Sequence, residues 1–425
     1  MKIELTDLSP VKKTLSVEVP VEEVSKETEA VIRRYAGQVK LPGFRQGKAP
    51  AEMVRKRFAK EIDTDVRERL ISRLWREATV EKGLIPLGDP VLEDLKHEQG
   101  TPFQFKTTFE VLPRFEVKDY KGVAAKSPSV TIAPAEVEQA LESIRQSRAQ
   151  YVADEARLAE PGDVIVADLD EQPEGGESTK RERVMLEVGG SGNPEAFNKQ
   201  IVGARHGRSY AFEIDYPAEH ANPKLAGKRV GYRIAVHEVK RKEVPPLDDE
   251  LAKSLGEFDT LDALKARVQS DLEERKAAMG RSAVRQEILD KVLAANPVPL
   301  PEVLVEEEIQ QRLEDMVREM MYHGVDPRKA ELDWKNLRDR SEEPARKVVH
   351  ARLVLDAIAT AESVKVDRTE LDQRIRREAE RIGESHDELK LRLSKGGGLQ
   401  ALETQMVREK SLDLITSIAN IQGLE

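Results

Sequence analysis

The chain contains no cysteine, which excludes a disulfide framework, a thiol nucleophile and a thiolate metal site together. Aromatic residues are scarce, at 4%; so few rings suit long, solvent-washed helices better than one thick globular core. The seven histidines, His97, His206, His220, His237, His323, His350 and His386, are dispersed. No two stand at helical or hairpin ligand spacing, so no metal site is expected. The nucleotide-binding pattern G-x-x-x-x-G-K-[ST], the nucleophile elbow G-x-S-x-G and the zinc pattern H-E-x-x-H are all missing, and no cofactor is expected. The run Gly189, Gly190, Ser191, Gly192 reads as a turn, because no lysine or helix start follows in register. Long apolar runs are missing too. The opening MKIELTDLSP is charged and alternating, and the reading is a soluble, cytoplasmic protein without a membrane partner.

What is present is charge. Asp, Glu, Lys and Arg make up 35% of 425 residues, with a formal net charge of −10. The length predicts two to four domains. The acidic balance means that any contact with nucleic acid must be local, since a protein that wraps nucleic acid over a whole face is normally basic.

Hydropathy patterning divides the chain into four stretches. Residues 1–112 predict an α+β unit: Ile3 and Leu5, then Leu15, Val17 and Val19, alternate as strands, and Phe103, Phe105, Thr107, Phe109 and Val111 form another. Between them, Val21, Val24, Thr28, Val31, Ile32 and Tyr35 mark a helix face. A short helix near Ala49 to Phe58 and a longer one through Ile62, Val66, Leu70, Leu74 and Ala78 follow. Residues 113–157 predict a linker and one helix, entered at Pro134, with Val137, Leu141, Ile144 and Tyr151 on its stripe. Residues 158–243 hold short alternating runs separated by glycine and proline turns, the pattern of a small antiparallel β domain. Residues 244–425 are helical, broken at Asn296 to Pro301, Gly324 to Pro327 and Gly396 to Gly398. The β domain is thus inserted, and the helix before it is expected to pack with the helices after it.

One segment stands out chemically. In LPGFRQGKAP, Leu41 to Pro50, Gly43 and Gly47 permit tight turns and Pro42 and Pro50 stiffen the ends. Phe44, Arg45, Gln46 and Lys48 lie between, so a stacking ring beside a guanidinium is offered to RNA or to an acidic protein surface. Arg33, Arg34, Lys40, Arg55, Lys56, Arg57 and Lys60 add positive charge nearby. The segment resembles the docking motif GFRxGxxP of trigger factor, a family of bacterial nascent-chain chaperones, and Gly43, Phe44, Arg45, Gly47 and Pro50 meet every fixed position.

The order of domains is similar to that family along the whole chain. The resemblance implies a multidomain α+β protein: an N-terminal α+β ribosome-binding domain, an inserted FKBP-like antiparallel β domain, and a split all-α C-terminal chaperone domain with arms. It implies docking of Gly43, Phe44, Arg45, Gln46, Gly47, Lys48 and Pro50 on the large ribosomal subunit at the exit tunnel, against a ribosomal protein and adjoining ribosomal RNA. Nascent unfolded polypeptides are the implied clients, and a weak homodimer is implied for the free protein. The segments GDVIVADLD, IVGARHGRSYAFEIDYP and KLAGKRVGYRIAVHEVKR carry the likeness to an FKBP-type peptidyl-prolyl isomerase. In the implied pocket Phe197 forms the floor and Tyr232 the last-strand ring, while His220 replaces a tyrosine and Leu169 an aromatic. Two rings remain where several are usual, so a retained fold with weak or no isomerase activity is expected.

Client holding without ATP needs only exposed apolar patches on a charged scaffold. Met316, Met320 and Met321 are the candidates, although each also fits a core stripe. Two other classes fit less well: a free-standing FKBP-type isomerase whose helices dimerise or recruit substrate, and a helical export chaperone of the envelope.

Overall fold

The computed structural model describes residues 2–39, 42, 44, 49–97, 101–176, 178–217, 227–330 and 332–423. The chain divides into two compact units, residues 1–128 with 281–425, and residues 129–280.

In the first unit, β1 (Lys2–Asp7) and β2 (Lys12–Val19) form a hairpin, followed by α1 (Val21–Gln38), α2 (Ala51–Arg57), α3 (Ala59–Glu81), β3 (Pro86–Lys96) and β4 (Phe103–Val111). The strands make an antiparallel sheet in the order β1-β2-β4-β3. Alternation buries Leu15, Val17 and Val19 of β2 and Phe103, Phe105 and Phe109 of β4 against one face. Onto that face α3 lays Ile62, Val66, Leu70, Leu74 and Ala78, a spacing of four that keeps every member on one side of the helix. Trp75 meets Phe109 edge-on, with ring centres 4.8 Å apart. Strand β3 was not expected from the sequence. Pro86, Gly88 and Pro90 interrupt its alternation, and its register shifts twice against β4, as an irregular edge strand tolerates.

Leaving the sheet, the chain enters the helical body. Phe115, Val117, Tyr120 and Val123 pack into its core, and β5 (Ala124–Lys126) follows.

The second unit begins with α4 (Pro134–Ser147), whose entry is closed by the Glu136 carboxylate accepting from the Ala133 N–H at 2.8 Å. Next come β6 (Gln150–Ala153), β7 (Val164–Pro173), β8 (Thr179–Glu187), α5 (Glu195–Ile201), β9 (Ser209–Asp215), β10 (Arg229–Glu243), α6 (Asp249–Ser254) and α7 (Leu261–Ala295). The long strand β10 is central: the path runs β6-β10-β7-β8, and β9 also pairs with β10. Tyr151 belongs to β6 and is exposed, which corrects its placement on the helix stripe; α4 ends at Ser147, short of it. Val137, Leu141 and Ile144 of α4 pack with Leu255 and Phe258 and with Leu264 and Val268 of α7, so a helix before the β domain shares a core with helices after it.

From Arg281 the chain returns to the first unit. The second half of α7 is followed by α8 (Glu302–Tyr322), α9 (Trp334–Ala361), α10 (Arg368–Ile382), α11 (His386–Ser394), α12 (Gly398–Ser417) and β11 (Asn420–Gln422). Asp367 and Ser385 cap α10 and α11, each in a reciprocal box with a glutamate three residues on. Gly383 ends α10 in the left-handed conformation, at φ 73°. The body's core joins Ile288 and Val292 of α7 to Val354 and Ile358 of α9 and Ile415 of α12. Val305 and Ile309 of α8 pack on Val349 and Leu353 of α9.

The segment arriving from the sheet is fastened into this body by its backbone. β5 pairs in parallel with β11, and Lys291 donates to the Ala124 carbonyl at 2.7 Å. Buried Asn296 accepts from the Lys118 N–H and donates to the Lys118 and Val292 carbonyls, all at 2.8 Å. Sheet and body also touch directly. The Glu110 carboxylate of β4 accepts from the Val303 N–H in the first turn of α8, at 2.9 Å, where the helix dipole favours negative charge. Gly88 approaches so closely that an added Cβ would lie 3.0 Å from Val303 Cγ1.

Replacing Asn296 by alanine leaves the Lys118 amide and carbonyl unpaired. We expect an Asn296→Ala variant to lose about 2 kcal/mol of stability, read as a lower urea midpoint for the transition of the helical body. An unchanged midpoint would contradict this role.

Candidate functional site

The docking segment joins α1 to α2. Gly43, Arg45, Gln46, Gly47 and Lys48 lie outside the described residues, as do Lys40 and Leu41. The base of the segment is anchored by burial: Tyr35, Val39, Ala49 and Phe58 all pack on the sheet-and-helix core. Tyr35 and Phe58 bring their rings to 5.9 Å. A hydrogen bond to Asp65, with burial and that negative charge adding to it, holds the Tyr35 phenol above its usual titration range. Pro50 then starts α2, its carbonyl accepting from the Met53 and Val54 N–H groups at 3.0 and 3.2 Å. Phe44 is 38% exposed, a ring presented to solvent in a chain with few rings.

The cations around this base fall into two sets. Arg34 is committed, paired with Asp65 and lying over the Tyr35 ring. Arg55, Lys56 and Arg57 occupy the last turn of α2, all exposed. Together with Arg33 and Lys60 they make no ion pair among the described residues. In a chain of formal charge −10, that leaves a run of exposed cations without an ion pair on α2, the helix that follows the Phe44 segment in the chain.

The second constellation lies in the β domain. Phe197 on α5, Tyr232 on β10 and Leu169 on β7 are 4%, 5% and 4% exposed and share one core; His220 lies outside the described residues. The structure adds two rings to the two expected from the sequence. Phe212 of β9 stands directly opposite Tyr232 across the β9–β10 ladder, stacked at 5.6 Å and 29°. Phe197 meets both edge-on, at 5.5 and 5.2 Å. Tyr216, just beyond β9, is also buried, and its hydroxyl lies 2.7 Å from that of Tyr232. Burial first, then this hydrogen bond and the Glu171 carboxylate, push the Tyr232 phenol far above its usual range. It stays neutral at every physiological pH. Glu171 is bonded to Arg181 at 2.7 Å.

These rings form a dry, neutral patch. An apolar surface of this kind favours a twisted prolyl amide over a planar one, because the twisted form has less charge separation to desolvate. The missed partners have a common origin. Phe212 alternates with Tyr210 and Ile214 as any strand residue would, and only the register with Tyr232 shows which ring it faces.

The helical body adds a third feature. Met316 and Met320 are half-buried along α8, whereas Met321 is 63% and Tyr322 88% exposed. Val325 and Trp334, at the other side of the same turn, are also exposed. Neither tryptophan nor tyrosine is common in this chain, and here one of each stands exposed, Tyr322 at the end of α8 and Trp334 at the start of α9. Among the described residues no cluster of histidine and carboxylate groups is placed to hold a metal ion, and no helix is long and apolar enough to cross a membrane.

Residues 1–144 match the family model of the bacterial trigger factor protein, and residues 260–417 match that of its C-terminus. The trigger factor of Solibacter usitatus is 32% identical over 406 residues, covering 95% of this chain and 96% of that protein. The chain belongs to the trigger factor family. The trigger factor of Geobacillus kaustophilus is 31% identical over 432 residues, 99% of this chain and all of that protein. Among solved structures, a chain from work on promiscuous substrate recognition by the trigger factor chaperone covers 98% of this one. Its TM-score is 0.54 at 20% identity, a likeness of fold. Trigger factors are ribosome-associated chaperones of multidomain α+β fold that carry a peptidyl-prolyl isomerase domain. Membership accounts for the docking segment, the inserted β domain and the helical body as parts of one protein.

Proposed function

We propose that this chain docks beside the polypeptide exit tunnel of the large ribosomal subunit through Gly43 to Pro50, against a ribosomal protein and adjoining ribosomal RNA. It holds emerging chains on its helical body without ATP, and works in the cytoplasm. The observation that carries this reading is the pair of features in one stretch of chain, an exposed Phe44 and the unpaired cations of α2 that follow it, on a protein that is otherwise acidic. Phosphates are contacted by such cations without any need for sequence readout. The ring and the guanidinium of Arg45 supply the stacking and bidentate contacts that fix position. Clients are held by apolar surfaces such as Met321, Tyr322, Val325 and Trp334; weak, exchangeable contacts of this kind release without nucleotide hydrolysis.

The β domain acts as a peptide-binding module with a weak prolyl isomerase pocket. What supports weakness is the packing of the rings. Phe197, Tyr216 and Tyr232 are almost fully buried in the domain core, and Leu169 provides no ring on β7, so little aromatic surface is left for a proline.

Two measurements test these statements. Wild type is expected to pellet with ribosomes, and a Phe44→Ala, Arg45→Ala, Gln46→Ala variant to remain in the supernatant, with at least about a tenfold loss of affinity; equal pelleting of the two would refute docking through this segment. In an isomerisation assay on a short Xaa-Pro peptide, the full-length chain is expected to turn over far more slowly than an ordinary FKBP. Comparable turnover would show that the four-ring pocket is sufficient.

A further inference from the structure

The three helices α10, α11 and α12 share a thin core in which Ile375, Ala379 and Leu389 are buried, with Leu371, Leu393, Leu399 and Leu402 packed around them. Between the end of α10 and the start of α12 the bundle opens into a groove of about 1090 Å³. Its floor is aliphatic, made by Leu389, Leu393 and Leu402, with Ile382 40% exposed at one end. Its rim carries four arginines, Arg374, Arg377, Arg381 and Arg392, against two carboxylates, Glu378 and Glu384.

The pairing within the rim decides its character. Glu378 is taken up by Arg381 three residues on, and Glu384 by Arg392 at 3.0 Å. Arg374 reaches only Glu409, at 3.5 Å, and Arg377 makes no ion pair among the described residues. Two arginines therefore remain weakly committed or free above an apolar floor, against the acidic balance of the whole chain. Exposed ion pairs contribute little and exchange readily, so an incoming carboxylate can compete for these guanidiniums and be held by two parallel N–H bonds.

We propose that this groove selects client segments in which Asp or Glu flanks a leucine-class side chain. The aliphatic residue seats on Leu393, Leu402 and Ile382, and the carboxylates meet Arg374 and Arg377. The proposal rests on the holdase reading above and gives one of its surfaces a client chemistry. A generic apolar patch such as that around Tyr322 holds any exposed hydrophobic segment; this groove discriminates among them by charge, because a lysine-flanked segment would meet like charge at the rim.

The test uses the full-length chain and three fluorescent peptides with one leucine-rich centre and aspartate, serine or lysine flanks, followed by anisotropy at low and raised salt. Wild type is expected to bind the aspartate peptide about tenfold tighter than the lysine peptide at low salt, with the gap closing as salt rises. An Arg374→Glu, Arg377→Glu variant is expected to reverse that order, and an Arg374→Lys, Arg377→Lys variant to preserve it, with circular dichroism confirming the helical content of both. Equal affinity for the two charged peptides, or an order unchanged by the glutamate variant, would overturn the proposal. The serine peptide reports on the holdase reading itself. Its binding without acid–base discrimination refutes the charge-selective groove and leaves that reading standing.

Discussion

The first unit depends on how the chain leaves its N-terminal sheet. Residues 115–126 do not cross to the helices as a free linker. They are threaded into the helical core, with Phe115, Val117 and Val123 among the helix side chains and the backbone claimed by Asn296, Lys291 and β11. An extended strand without neighbours would leave those peptide groups to water. Here they are paired across the fold, and the buried Asn296 side chain serves both polar groups of Lys118, which makes its removal costly. Glu110 at the start of α8 and the Gly88–Val303 approach add a second seam. The α+β part that bears the docking segment and the helices that bear the apolar patches are therefore one compact body.

Charge explains how the surfaces on that body differ. With aromatic residues at 4%, the helical cores are largely aliphatic, and many surface charges are taken up in ion pairs within and between elements. Such pairs add little stability, but they neutralise each other. Positive charge left over is consequently informative. It remains on Arg55, Lys56 and Arg57 of α2 and on Arg377 above the groove, where Arg374 reaches only Glu409. In the reading proposed above, the first faces a phosphate-rich docking partner and the second faces clients. The β domain follows another rule, concentrating its rings in one neutral cluster whose two buried phenols satisfy each other.

Much of this was legible before any coordinates. Periodicity of two located β2 and β4, periodicity near four located α3 and α8, and the proline and glycine breaks separated the helices. Those signals are strong because one face of each element is buried. The missed elements lack that condition. Strand β3 is an exposed edge broken by Pro86, Gly88 and Pro90, and β5 and β11 are three residues each, too short for any period. Tyr151 was misplaced because its spacing from Ile144 fits a helix, whereas the helix ends at Ser147. Phe212 and Tyr216 were overlooked as pocket rings because cross-strand register, which sequence spacing does not carry, decides which rings meet. The rim of the groove was hidden for a similar reason. Arginines on two helices, α10 and α11, become one feature only when the bundle closes.

The central claim is that the docking segment locates the chaperone while separate surfaces of the body work on clients. Its most direct test compares the wild type and the Phe44→Ala, Arg45→Ala, Gln46→Ala variant on one aggregation-prone client. The client is either diluted from denaturant without ribosomes or synthesised in a ribosome-based translation mixture at limiting chaperone. Equal suppression of aggregation off the ribosome, with the variant failing during translation, is the predicted result. A variant that fails in both settings, or protects in both, would contradict the division of labour.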